Sequence, residues 1–329
     1  MKLGRFTPWL LVAVVLCGPA STASANGLVG KRFFPATLTI DDPFVADELS
    51  LPTVLHIKQR GSEEGPPARV TDLSAEFSKR LTPDFGVSVG STFRLLDPTE
   101  GKSITGFDNV EVAIKYVFFK SPEHETLLSF GIDWDIGGTG SKKVGAESFD
   151  TVTPALFFGK GFGDLPDAAE WAKPLALTGT LGVAIPTRHR TQTITTDPDT
   201  GGVEVERELN PLTLQWGFTV QYNLQYLQSF VRDVGLPKPF SRMIPIVEFA
   251  METLLEGPHS GRTTGTVNPG IIWFGRYVQI GIEAVVPVNE RTGRNVGVLA
   301  QLHFYLDDIA PEVFTWTPSH GVLGPTQPR

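Results

Sequence analysis

Cysteine is almost missing from this sequence, and the single one stands at position 17. A chain bound for an oxidising compartment without a cysteine pair takes its stability from burial and backbone hydrogen bonding rather than from disulfides. Long apolar runs are also lacking. Beyond the first 25 residues no stretch reaches the ~18 consecutive apolar residues of a membrane helix. A closed β-barrel is then the one membrane-spanning architecture left, because it alone among strand structures satisfies every backbone group in hydrocarbon. Basic charge is scarce as well: 28 Lys and Arg stand against 36 Asp and Glu. No basic surplus exists to neutralise phosphates, which excludes nucleic acid as a partner.

The N-terminus sets the compartment. Lys2 and Arg5 precede the apolar run WLLVAVVLC at 9–17, and Ala23 and Ala25 supply small residues before Asn26. This is the pattern of a secretory signal peptide over residues 1–25. A lipoprotein signal wants a small residue before its cysteine, and Leu16 is not small. Loss of residues 1–25 removes two basic residues and no acidic one, leaving 26 bases against 36 acids and a net charge of −10.

Alternation is the strongest signal in the rest of the chain. In 212–224 one face reads Leu214, Trp216, Phe218, Val220, Tyr222 and Leu224, the other Thr213, Gln215, Gly217, Thr219, Gln221 and Asn223. A period of two over this length is a strand with one apolar and one polar face. Comparable alternation runs through 110–118, 128–136 and 278–286, and weaker versions through 73–81, 85–95, 149–158, 175–185, 243–255, 264–274 and 296–306. The segment 53–59 supplies a twelfth strand. Connection lengths divide in the same way. Short inner turns at 82–84, 120–124 and 275–276 alternate with longer Gly- and Pro-bearing outer loops at 60–68, 97–106, 137–148, 186–211, 257–263 and 289–295, as barrels of the bacterial outer membrane do. Two inner connections, 160–174 and 225–242, are long, and PDAAEWAK in the first is helix-like. The expected fold is an all-β, antiparallel up-and-down transmembrane barrel of about twelve strands over 53–306. An N-terminal periplasmic arm or plug over 26–52 precedes it and a Pro-rich tail over 307–329 follows. The arm is expected to be solvated at the barrel mouth.

Several motifs occur together: DDPFVADELSLPT at 41–53, the spaced GF-N-E-K-Y of 106–116, HETLLSFG at 124–131, GKGFGDLP at 159–166, PLALTGTLGVAIPTR at 174–188 and the PG-I-W-GRY-Q-GIEAVVPVN run of 269–289. With these the chain resembles the MetA-pathway of phenol degradation family of outer-membrane barrels over most of residues 40–310. The resemblance implies a barrel, and it implies small aromatic or otherwise hydrophobic solutes as cargo. One departure is that Phe304 is followed by about 25 residues, whereas such barrels commonly end on a C-terminal aromatic.

If the apolar faces meet lipid, the polar faces meet the lumen. The lumen-lining candidates are Glu76, Arg80, Arg94, Glu111, Lys115, Asp133, Asp135, Gln215, Gln221, Glu248, Glu252 and Glu283. Acids outnumber bases there, so cations and neutral solutes are favoured over anions. The expected function is passive transport of small solutes through the outer membrane, gated by the long outer loop or by the N-terminal arm. Its expected partners are outer-membrane lipid and lipopolysaccharide, the barrel assembly machinery and a small-molecule solute. Two alternatives stand beside it. A closed-lumen structural or interaction barrel would have Phe119, Leu127 and Val285 packed inward. An outer-membrane lipid hydrolase would use His259 and Ser260, yet those neighbours lie on opposite faces of an extended chain. Ser319 and His320 sit in the Pro-rich tail. The 159–163 glycines lack a phosphate loop's spacing. His56, His124, His189 and His303 show no paired metal spacing, and Asp41-Asp42 begin no calcium loop. No catalytic residue, metal or cofactor is expected.

Overall fold

A computed structural model describes residues 27–59, 67–196 and 203–314. The expected signal peptide, most of the first outer loop and residues 315–329, Ser319 and His320 included, lie outside the described residues.

Twelve strands form the barrel wall: β1 Glu48–Gln59, β2 Ala68–Thr82, β3 Phe85–Pro98, β4 Val110–Ser121, β5 Thr126–Ile136, β6 Thr151–Gly161, β7 Leu175–Pro186, β8 Thr213–Tyr222, β9 Met243–Leu254, β10 Thr263–Phe274, β11 Val278–Pro287 and β12 Gly297–Tyr305. Each pairs antiparallel with its sequence neighbours, and β12 pairs with β1, so the sheet has no free edge. A short strand, Ile104–Phe107, extends the β3 edge beyond the end of β4. Closure satisfies the backbone of every wall strand, which an open sheet in lipid would not do.

The period of two sorts the side chains as the sequence indicates. Along β11, Ile280 and Ile282 are exposed while Gln279, Gly281 and Glu283 point inward and are buried. The outward face carries large apolar residues that water would not tolerate in such numbers: Leu156, Leu181, Ile280, Ile282 and Val298 among them. Ile282, midway along β11, is 52% exposed. Ile282→Lys would set an ammonium near the hydrocarbon midplane and is expected to cost ~2–4 kcal/mol. Urea titration of the protein refolded into vesicles measures this, and an unchanged midpoint would mean that this face does not meet lipid. Rings gather at the two ends, with Tyr116, Phe118, Trp171, Phe240 and Tyr277 at one and Phe107 and Trp134 at the other, the girdle expected at membrane–water boundaries.

The short connections all fall at one end, here the turn end, and the long loops at the other, the loop end. The two long turn-end connections carry local structure: 3₁₀ turns over Asp167–Ala172, and Leu224–Tyr226 followed by a π-turn at Leu227–Val231. At the loop end, Arg190–Thr196 and Val203–Leu209 pair as a β-hairpin within a segment that reads as loop in sequence. The first wall strand begins at Glu48 rather than at residue 53, with a register shift between Ser50 and Thr53 around the cis Leu51–Pro52 bond. Proline interrupts alternation there, which hides the early start. After β12 the chain makes two short helices, Leu306–Ile309 and Pro311–Phe314, at the turn end.

Candidate functional site

A strand spacing of ~4.8 Å and a tilt near 40° give a twelve-stranded cylinder a backbone radius of ~12 Å, or ~6 Å inside its inward side chains. The N-terminal arm occupies part of that space. It is not solvated at the mouth: Arg32, Phe34 and Asp47 are fully buried, and Phe44 and Ala46 nearly so. The expectation of a solvated arm failed because period-two reasoning identifies the inward face but not what covers it.

The arm enters as a hairpin, Leu28–Val29 against Arg32–Phe33, at the turn end. There the Arg32 guanidinium pairs with Glu125 at 3.0 Å, donates to the Pro174 carbonyl at 2.9 Å and lies 3.8 Å over the Tyr226 ring. Burial lowers the Arg32 pKa, and Glu125 opposes that shift. Burial and the hydrogen bond to Glu125, 2.7 Å long, push the Tyr226 phenol up to about 12. The chain then climbs the β9–β11 wall. Leu38 packs among Ile244, Ile246, Ile272 and Val285. A Cβ at Gly281 would stand 2.6 Å from Leu38, so the wall has a glycine where the arm presses on it.

At its summit the arm offers three successive N–H groups, of Leu38, Thr39 and Ile40, to the Glu248 carboxylate at 2.8, 3.0 and 2.9 Å. Such a run of donors forms an anion-binding concavity. Crossing the lumen, Asp41 receives Lys115 at 2.7 Å, and the Asp42 carbonyl accepts from the same ammonium at 2.6 Å. Burial holds the Asp42 carboxyl well above the usual carboxylate range, with Lys115 drawing it back. The arm descends beside β5 and β6, where Ser129 donates to the Pro43 carbonyl and Leu127 packs with Phe34 and Phe44. It leaves at Asp47, bound by Lys79 at 2.6 Å and Arg80 at 3.3 Å. Residues 27–47 are therefore a plug seated in the turn-end part of the barrel.

Beside the plug lies a cavity of about 680 Å³, bounded by plug residues 36–46 and the walls of β1–β6, β8 and β12. Its charged lining comprises Asp41, Asp42, Glu48, Glu76, Glu111, Asp133 and Asp135 against Lys115, with His303 at its edge. A second cavity of about 440 Å³ adjoins Asp41, Asp133, Gln215 and Glu252.

The residues singled out from sequence separate into three groups. Glu76, Glu111, Lys115, Asp133, Asp135, Gln215 and Glu252 border these cavities. Glu248, Glu283 and Gln221 face inward but are buried: the first two meet the plug, Glu283 accepting from Thr39 at 3.2 Å, and Gln221 bonds Thr178 within the wall. Arg80 and Arg94 are held in ion pairs, Arg80 with Asp47 of the plug and Asp307 beyond β12, Arg94 with Asp72 on β2 and Asp108. Pairing removes the two wall arginines from the cavity, so its lining is more acidic than the wall as a whole. Sequence reasoning missed Glu48, which lay before the expected first strand, and the inward pair Gln301 and His303. Leu127 and Val285 do turn inward and pack, whereas Phe119 stays exposed. Ser260 donates to the Leu255 carbonyl at 2.9 Å, so its proton is engaged away from His259. No helix among the described residues is long and apolar enough to cross a membrane.

Neither a family model nor a curated protein sequence matches this chain. Solved structures do. An outer-membrane channel from Pseudomonas putida F1 superposes with a TM-score of 0.51 at 9% identity, covering 83% of this chain and 99% of that one. The NanC porin gives 0.44 at 10% identity over 77% and 98%, and the KdgM porin in complex with disordered oligogalacturonate 0.41 at 13% over 77% and 97%. The first of these likenesses shows that the two chains share a barrel fold.

Proposed function

We propose that this protein is an outer-membrane channel that passes small cationic and neutral solutes through a plugged twelve-stranded barrel. The observation that carries the reading is the cavity beside the plug, whose lining sets seven carboxyl groups against one lysine. In a confined, low-dielectric lumen fixed charge of one sign concentrates counter-ions and repels like charge. The turn end faces the periplasm and the loop end the exterior, as the connection lengths suggest. The outward apolar belt fits a lipid and lipopolysaccharide surround, and insertion would use the barrel assembly machinery. The resemblance to the MetA-pathway of phenol degradation family extends the solute class to small aromatic molecules, for which Ile40, Ala155 and Phe157 at the second cavity supply apolar wall.

Bilayer recording tests the reading. Across a KCl gradient the reversal potential should carry the sign of K⁺ preference, and neutralising Glu76, Glu111 and Asp133 together should move it toward zero. Protein that never conducts, or that prefers chloride, would overturn it. A closed-lumen barrel is the second reading, favoured by the packing of Leu127 and Val285 against the plug. Plug removal, argued in the Discussion, separates the two.

A further inference from the structure

At the turn end of the larger cavity, closure of the barrel brings together two residues from opposite ends of the chain. Glu48 opens β1 and His303 nearly ends β12; His303 pairs in register with Ser50, and Tyr305 with Glu48. The His303 side chain is 1% exposed and lines the cavity with Glu48 and Gln301. Its Nδ1 lies 2.9 Å from the Ser50 hydroxyl, and its Nε2 points at Glu48 Oε2, 3.3 Å away. That separation is long for a charge-assisted hydrogen bond, which closes to ~2.7–2.9 Å. Neither atom makes a hydrogen bond among the described residues, and neither does the nearby Gln301 Oε1.

We propose that Glu48 Oε2 and His303 Nε2, assisted by Gln301 Oε1, form a transit site for a divalent transition-metal ion. Two donors that share one tetrahedral ion at ~2.0–2.1 Å each stand ~3.4 Å apart, which matches the observed spacing. Imidazole nitrogen with carboxylate and amide oxygen is a donor set for borderline ions such as Zn²⁺, Co²⁺ and Ni²⁺. The Ser50 hydroxyl can accept from Nδ1–H as an outer partner, and in that tautomer Nε2 keeps its lone pair for the metal. Gln301 is itself held by its amide, which donates to Thr53 at 3.3 Å. No group of three or more His, Cys, Asp or Glu among the described residues is placed to hold a metal ion together. Solvent must therefore complete the shell, and a partly hydrated ion bound by few protein donors is weakly held. Weak binding suits conduction, which needs an ion able to leave.

The site deepens the channel reading and rests on it for its role in transport, while its occupancy can be measured apart from conductance. Folded wild-type protein in detergent, titrated with Co²⁺, should develop one equivalent of the visible absorption of a low-symmetry cobalt centre, displaced by Zn²⁺. His303→Ala and Glu48→Gln should abolish it, Ser50→Ala should weaken it by about tenfold, and His259→Ala, in a loop, should leave it unchanged. Equal Co²⁺ uptake by wild type and His303→Ala would overturn the proposal. So would absence of the absorption from wild type. Should a variant fail to fold, Gln301→Leu offers a further test, expected to weaken binding without removing the imidazole or the carboxylate. Binding without conductance would keep the site and sink the channel, and conductance without binding the reverse.

Discussion

Deleting residues 27–46 is expected to raise single-channel conductance severalfold, and the barrel should still close. The ladder from β1 round to β12 contains no residue of the plug, so the wall keeps its hydrogen bonds when the plug is gone. What is lost is cover. Leu127, Ile244 and Ile272, each fully buried, would then face the water of the lumen. Each uncovered side chain forfeits roughly 1.5–3 kcal/mol of burial, so the deleted protein should convert to the unfolded gel form at lower temperature. A milder variant tests the same point with less damage. Glu248→Ala strands the N–H groups of Leu38, Thr39 and Ile40, at ~1–3 kcal/mol for each buried donor left unmet. Its plug summit should disengage part of the time and add larger openings to the wild-type record. Unchanged conductance in both variants would mean that the plug is not the constriction, and attention would move to the loop end. A deletion variant that conducts no ions at all would favour the closed-lumen reading.

The sequence displays its wall far better than its interior. Alternation in 212–224 or 278–286 marks a strand and its lipid face because a side chain's direction is set by its parity alone. Twelve such segments, with short and long connections in turn, are enough to give the barrel. Pairing across the lumen follows no local period. Arg80 and Arg94 look like bases on a pore wall until Asp47 and Asp307 are found beside the first, and Asp72 on the neighbouring strand with Asp108 beside the second. Glu48 and His303 are neighbours only because β12 returns to β1. One hint of the plug was available: inward positions held by apolar or small residues, such as Leu127, Gly159, Ile244, Ile272 and Gly281. A water-filled lumen would not select Leu or Ile there. The arm's own acids concealed the rest, since Asp41, Asp42 and Asp47 suggest solvent until Lys115, Lys79 and Arg80 are found opposite them.

Arg32→Met should be the most damaging single substitution in the plug. It removes the cation and leaves the Glu125 carboxylate buried, with the Tyr226 hydroxyl and the Gly163 N–H as its remaining donors among the described residues. Breaking one partner of a buried pair costs ~3–5 kcal/mol. It also strands the Lys173 carbonyl, which the guanidinium now satisfies, while the Pro174 carbonyl keeps the Asn223 N–H. The pair sits where the plug hairpin meets the 162–174 and 223–242 connections, so the damage should appear as a freed turn end rather than a dissolved barrel. Two measurements follow. The temperature at which the folded gel band converts should fall, and trypsin should cut folded protein after Lys31 faster than in the wild type, where Arg32 beside that bond is buried. Adding Glu125→Gln to Arg32→Met removes the unpaired charge and keeps an acceptor for Tyr226, so the double variant should recover a large part of the loss. If instead the two costs simply add, the guanidinium and the carboxylate act independently. The plug would then be held by its apolar contacts and by Glu248, with no electrostatic latch at its base.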